Sequence, residues 1–230
     1  MYPQEQNRAQ TRPASPLRGL SIEMDAVHST ARQRLEACIA RKFDSQYGAK
    51  IEHFLPYLLS LNDYTQLDAV VGIRLAAESR LFLEQYLDTR VEQAISRAVH
   101  GPVDRGQVVE IGNLAAAVPG TASLLFALLA IVLDRAGVRW VACTATPQVQ
   151  AMFDKLNFTT HTLCQAEAAA LEDGDQEWGD YYDSLPTVTI GDTCVAANVA
   201  RANPAVRELE CRLAGPINQA AAALRAARQS

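Results

Sequence analysis

Hydrophobic and polar positions alternate along this chain with a period that changes several times, and each change marks an element. From about residue 25 to 45, Ala31, Leu35, Cys38, Ile39 and Phe43 recur at helical spacing, which predicts a helix with Ser29 or Thr30 as its cap. HFLPYLLSLND (His53–Asp63) is a strand-like run closing on the turn signal Asn62-Asp63. The β-branched LDAVVGIRLA (Leu67–Ala76) reads as its hairpin partner. LFLEQYLD (Leu81–Asp88) follows, then a helix from Thr89 to Val99 stopped by His100-Gly101-Pro102. VVEIGNLAA (Val108–Ala116) is a buried strand, and PGTASLLFALLAIVLDRAG (Pro119–Gly137) a helix with Thr121 as N-cap and Gly137 at its end. VRWVACTAT (Val138–Thr146) is a second buried strand, PQVQAMFDKLNF (Pro147–Phe158) a helix opened by proline, and FTTHTLCQA (Phe158–Ala166) another strand. Strand–helix–strand order implies a right-handed crossover and parallel pairing. EDGDQEWGDYYDS (Glu172–Ser184) reads as a surface loop and LPTVTIGDTCVAA (Leu185–Ala197) as a further strand. The tail beyond, with Arg201, Arg207, Arg212, Arg225 and Arg228 among alanines, has helical spacing.

These elements divide into a flexible arm (1–24), one domain (25–200) and an Arg/Ala-rich helical tail (201–230). With 49% hydrophobic and 20% charged residues, the 230-residue chain has ample material for a core. Its net charge of -5 argues against a nucleic-acid-gripping surface. Five scattered cysteines without a CxxC pair suggest neither a disulfide framework nor zinc, and reduced thiols fit a cytoplasmic protein. The first twenty residues lack the apolar stretch of a signal peptide. Ile111–Leu133 carries no charge, but Pro119-Gly120-Thr121 interrupts it, and the remaining Leu124–Leu133 is too short to span a bilayer.

Candidate chemistry centres on Val108–Ser123. A strand that runs through a Pro-Gly turn into a helix offers unpaired N–H groups and a partial positive charge to a phosphate. Glu110 is the single charge in that strand, and Arg74 on the neighbouring run is its natural partner. A buried pair of this kind serves a scaffold or orients a polar substrate. Cys143 reads as core. His28, His53, His100 and His161 lack metal-ligand spacing, and no metal site is expected. The acidic run Glu172, Asp173, Asp175, Glu177 and Asp180 is a solvated loop rather than an ordered calcium site. Trp178, Tyr181 and Tyr182 are an aromatic anchor or a lid, and the Arg-rich tail a solvated helix face.

Val108–Phe158 resembles the acyl-CoA-binding core of the GNAT acyltransferase superfamily, with MFDKLNF standing where that superfamily has FYEKLGF. VVGIRLAAESRLFLEQYLD and VVEIGNLAA are similar to the hairpin and central strand of acyl-homoserine lactone synthases. KFDSQYGAKIEHFLPYLLSL, LFLEQYLD and EIGNLA most resemble the thermostable hemolysin family, over residues 30–200. The resemblance implies an α/β fold: a GNAT-like mixed, largely antiparallel sheet with a central parallel β-α-β core flanked by helices. It implies transfer of an acyl group from an acyl thioester (acyl-CoA or acyl-phosphopantetheine on an acyl carrier protein) to a small amine, with no permanently bound cofactor. Glu110 and Arg74 would be the catalytic pair. Asn113, Phe82, Leu83 and Tyr86 would contact substrate and acyl chain. Leu114, Ala115, Ala116, Val118, Pro119, Gly120, Thr121, Ala122 and Ser123 would meet the pantetheine arm and phosphates. Asn113 replaces the synthases' Arg, Phe153 a frequent Tyr that protonates the leaving thiolate, and Asn157 a Gly. A membrane-active protein and a catalytically silent acyl-binding module are the alternatives.

Overall fold

The computed structural model describes residues 19–27, 29, 31–63, 66–172 and 177–229. The expectations for His28, Thr30, Asp173 and Asp175, and for residues 1–18 of the arm, lie outside them. Seven strands form one sheet: β1 (Leu20–Asp25), β2 (Tyr57–Asp63), β3 (Gln66–Leu75), β4 (Val108–Ala116), β5 (Trp140–Ala145), β6 (Thr160–Gln165) and β7 (Thr187–Asp192). Their order is β1-β2-β3-β4-β5-β7-β6, so the last strand in the chain inserts between β5 and β6. Every neighbouring pair is antiparallel except β4 and β5, which the intervening helix makes parallel. The mixed, largely antiparallel sheet with a parallel β-α-β centre is therefore the observed fold. β1 overlaps the stretch read as a flexible arm: Leu20–Met24 pair with β2, because Ile22 buries an apolar face against the sheet.

Among the described residues seven α-helices follow in chain order: α1 (Arg32–Tyr47), α2 (Val91–Val99), α3 (Thr121–Arg135), α4 (Pro147–Lys155), α5 (Thr193–Ala202), α6 (Pro204–Arg212) and α7 (Ala214–Ala227). α1 starts later than its periodicity predicts, at Ala31 without a side-chain cap. It lays Leu35 and Ile39 on Leu58, Val70 and Ala115, on the face of the sheet away from α3. α3 is buried from Leu125 to Leu133, as expected of a helix apolar all round. It lies between the sheet and α5–α7, which explains the uncharged stretch. Among the described residues no helix is long and apolar enough to cross a membrane.

The C-terminal segment is part of the core, and the boundary read at 200/201 falls inside α5. Leu209, Leu213, Ile217 and Leu224 belong to the same apolar cluster as α3. Each such side chain contributes on the order of 1.5–3 kcal/mol by burial. The arginines read as a solvated face are largely engaged. Arg201 pairs with Asp134 (2.9 Å) and Glu210 (3.2 Å), and Arg228 donates to Ala136 O (2.8 Å) at the carbonyl end of α3.

Candidate active site

β4 does two things that a regular strand does not. Its register with β3 shifts between Val70↔Ala115 and Gly72↔Gly112, so Asn113 and Leu114 together face Val71 alone, a β-bulge. Asn113 takes the left-handed conformation (φ 51°) that Asn tolerates, and its Oδ1 accepts from Leu55 N (2.8 Å). Gly72 is needed beneath it: a Cβ there would lie 2.9 Å from Leu55 Cβ and 3.1 Å from Asn113 Oδ1. Second, the β4–β5 ladder covers only Val108↔Trp140 to Ile111↔Cys143, while β4 continues to Ala116 and β5 to Ala145. The strands part where the bulge begins.

A cavity of about 580 Å³ occupies this opening. Phe43 and Tyr47 of α1, Phe82 and Tyr86 of the short 3-10 turn Phe82–Tyr86, Val149 and Met152 of α4, and the segment Trp178–Tyr182 contribute walls. Tyr181 reaches across to Thr144 O on the freed part of β5 (3.2 Å), and the Tyr86 and Tyr182 hydroxyls bond each other. Burial pushes both the Tyr86 and Tyr181 hydroxyls well above their ordinary range, so both stay neutral. The Gln46 amide donates to Gln148 Oε1 (2.9 Å), joining α1 to α4 at the cavity wall.

Glu110 lines the cavity yet is 4% exposed. Its oxygens accept from Phe82 N (2.9 Å) and Leu83 N (2.8 Å), and Arg74, its register partner on β3, stands at 3.7 Å. Burial raises the carboxyl above its ordinary value, opposed by the Arg74 charge and the two amides. Arg74 also lines the cavity and spends little of its donor capacity on so long a pair. Cys143 is core, and burial pushes its thiol up to about 12, which leaves it inert as a nucleophile.

Of the other residues singled out in the sequence, Asn113, Leu114, Ala116, Ala122, Phe82 and Tyr86 line the cavity. Leu83 does not: its side chain is fully buried with Leu81 and Ile95, and only its amide serves the site. Ala115 is likewise turned away, into the contact with α1. Val118, Pro119, Gly120, Thr121 and Ser123 lie outside the cavity lining, around the solvent-accessible start of α3. Thr121 is the first helical residue rather than the cap. Gly120 caps at φ 87°, and the Thr121 hydroxyl donates to Val118 O (2.7 Å) and Asp68 O (3.0 Å). No side-chain cap occupies this helix start among the described residues.

The acidic stretch proves to be an aromatic wall, with Trp178 tilted against Phe82 and Tyr181 at 5.3 Å each. Among the described residues no cluster of three or more His, Cys, Asp or Glu is placed to hold a metal. Tyr47, Gln148 and His53 also line the cavity, and none of the three is among the residues singled out above for substrate or donor. The signal for Tyr47 was its spacing four residues from Phe43, which puts both on one face of α1.

A family model for thermostable hemolysin matches residues 26–197. No curated protein matches the chain by sequence. Among solved structures, the CoA-dependent acyl-homoserine lactone synthase BjaI with SAM and isopentyl-CoA superposes with a TM-score of 0.54 at 12% identity. That match covers 80% of this chain and 89% of BjaI. TofI, solved with an inhibitor and MTA, gives 0.53 at 13% identity over 81% and 99% of the two chains. FeeM, an N-acyl amino acid synthase from uncultured soil microbes, gives 0.52 at 13% identity over 83% and 97%. At such identities the likeness is one of fold.

Proposed function

The chain belongs to the thermostable hemolysin family, and on that premise we propose that it is an acyltransferase acting between an acyl thioester and a small amine such as an amino acid. The observation that carries this reading is the opening between β4 and β5 with a buried carboxylate on its wall. The fold it shares with proteins described as acyl-homoserine lactone and N-acyl amino acid synthases supports it.

In this reading the phosphopantetheine arm of CoA or of an acyl carrier protein lies along Leu114, Ala116 and Ala122. Its phosphate meets the uncapped start of α3. The acyl carbonyl sits at the bulge, where backbone N–H groups released from the ladder face the developing oxyanion. Glu110, with a raised proton affinity, takes the proton of the attacking amine directly or through one water. The Arg74 guanidinium offers its spare donors to an acceptor carboxylate. A C–N bond forms and the C–S bond breaks. The departing sulfur, with a thiol pKa of about 8.5, leaves as thiolate without a dedicated acid. Acceleration comes chiefly from alignment.

The test is thiol release from acyl-CoA and acyl carrier protein across a panel of amines and amino acids. Release should require the acceptor, and Glu110→Gln should lower kcat/KM by ~10²–10⁴-fold with a far smaller loss of stability. No release with any acceptor, or losses of activity and stability in equal proportion, would overturn it. One observation favours an acyl-binding module without turnover: Phe153, at a position where many GNAT enzymes have Tyr, is packed edge-on against Phe126 at 5.2 Å. Tight donor binding in calorimetry with no turnover on any amine would select that module.

A further inference from the structure

The two amides that hold Glu110 belong to a 3-10 turn of only five residues, Phe82–Tyr86, and such turns are poorly self-supporting. Something else fixes them. Glu84, inside the same turn, points away from the cavity and is 6% exposed. Its Oε2 accepts from Leu81 N and its Oε1 from Val91 N, both at 2.8 Å, tying the turn's entry to the start of α2. Three consecutive amides, Leu81, Phe82 and Leu83, are thus shared between two buried carboxylates. Arg105 forks across Glu84 (2.6 Å to Oε1, 3.0 Å to Oε2) and donates to Ala76 O (2.7 Å) and Ser79 O (3.0 Å), with Glu92 as a second anion at 2.7 Å. This guanidinium thus ties the end of β3, the turn and α2 together.

We propose that Glu84 and Arg105 are positioning residues, which hold the Phe82–Tyr86 turn so that its amides fix the Glu110 carboxylate at the open seam. The proposal rests on the acyl-transfer reading for its consequence in turnover, but not for its geometry. The ionisable groups bearing on Glu110 are Arg74 from β3, Glu84 and Tyr86 from the turn, and Cys143 from β5. Tyr86 and Cys143 stay neutral, so Arg74 and Glu84 carry the charges that act on it. Glu84 repels a charged Glu110, and Arg105 offsets that repulsion. Losing Arg105 therefore acts twice in one direction: it leaves Glu84 uncompensated and loosens the two amides, and both changes favour a protonated Glu110.

The experiment titrates Glu110 in the full chain by carbon-13 NMR, its signal assigned by its loss in Glu110→Gln, alongside the pH profile of kcat/KM. Arg105→Gln is expected to move the Glu110 titration and the acid limb upward by about half a pH unit or more. It should lower kcat ~10-fold with the donor KM little changed, and Arg105→Lys, which keeps the charge but not the fork, should lie between. Should Arg105→Gln not fold, Arg105→Lys carries the test, with a smaller upward shift from the loosened amides alone. A Glu110 titration that stays in place while the melting temperature falls would overturn the proposal and leave Arg105 a purely structural tie. If no acceptor is turned over, the acyl-transfer reading fails while the NMR titration still decides the positioning role.

Discussion

Two carboxylates on opposite sides of one turn, Glu84 and Glu110, are almost equally inaccessible and each accepts two backbone N–H bonds, yet their proton affinities move in opposite directions. Glu84 is held near a value of about 2 and Glu110 is raised. Burial favours the proton on both, more strongly on the deeper Glu110, and the two arginines answer it differently. Arg105 meets both oxygens of Glu84 at hydrogen-bonding distance, whereas Arg74 stays 3.7 Å from Glu110 and faces the cavity. At Glu84 the arginine fork and the backbone amides outweigh burial, and at Glu110 burial prevails over a looser partner. One side of the turn is closed and ionised, while the other carries a carboxyl with raised proton affinity beside a cation with donors to spare.

The largest expected effect that bears on this contrast is on stability. Glu84→Ala should cost about 2–4 kcal/mol in urea unfolding, the penalty of leaving two amides without their acceptor and the half-buried Arg105 with Glu92 as its remaining anion. Arg74→Ala should cost nearer 1 kcal/mol, because Glu110 takes up a proton when its loose partner goes. Equal costs would erase the distinction between the two sides.

The pH dependence of stability sharpens it. Glu84, lowered from 4.5, contributes stability that is complete above that value and lost as pH falls from 4.5 toward about 2. Glu110, raised, binds its proton more tightly in the folded protein, so its contribution declines as pH climbs above 4.5. Glu84→Gln should flatten the acid-side slope and Glu110→Gln the decline above it, as read from urea midpoints at a series of pH values. Slopes that survive both substitutions would assign them to other groups.

The smallest effect concerns the aromatic wall. Tyr181→Phe removes the bond to Thr144 O and should cost about 0.5–1.5 kcal/mol in the same assay. No change at all would mean that the wall stands by ring packing alone.

Much of the centre of this fold was legible in the chain. Val108–Phe158 announces itself because β4 and α3 are largely buried, carry little charge and, with their neighbours, are punctuated by Pro119, Gly120, Gly137 and Pro147. Arg74 and Glu110 were also readable as a pair, since Glu110 is the lone charge in its apolar run and VVGIRLA places Arg74 on the neighbouring one. Spatial order was not: no local pattern tells that β7 separates β5 from β6. The bulge hid behind Asn113, a residue that adopts the left-handed conformation without the signature of a glycine. Trp178–Tyr182 was masked by its acidic neighbours, of which Asp180 and Asp183 are exposed while the rings turn in. The C-terminal helices misled for a related reason, because small alanines and a few leucines bury one face while long arginine side chains reach back to the carbonyls of α3. The network around Glu84 and Arg105 left no sequence signal, as its partners are mostly backbone groups.

The central claim, that the parted seam with Glu110 on its wall joins an acyl group to an amine, is tested most directly by the mass of the product. Purified protein given an acyl thioester and an amine should yield the N-acylated acceptor, and Glu110→Gln, still folded, should yield almost none. Recovery of free acid alone, or of N-acylated product undiminished in Glu110→Gln, would contradict it.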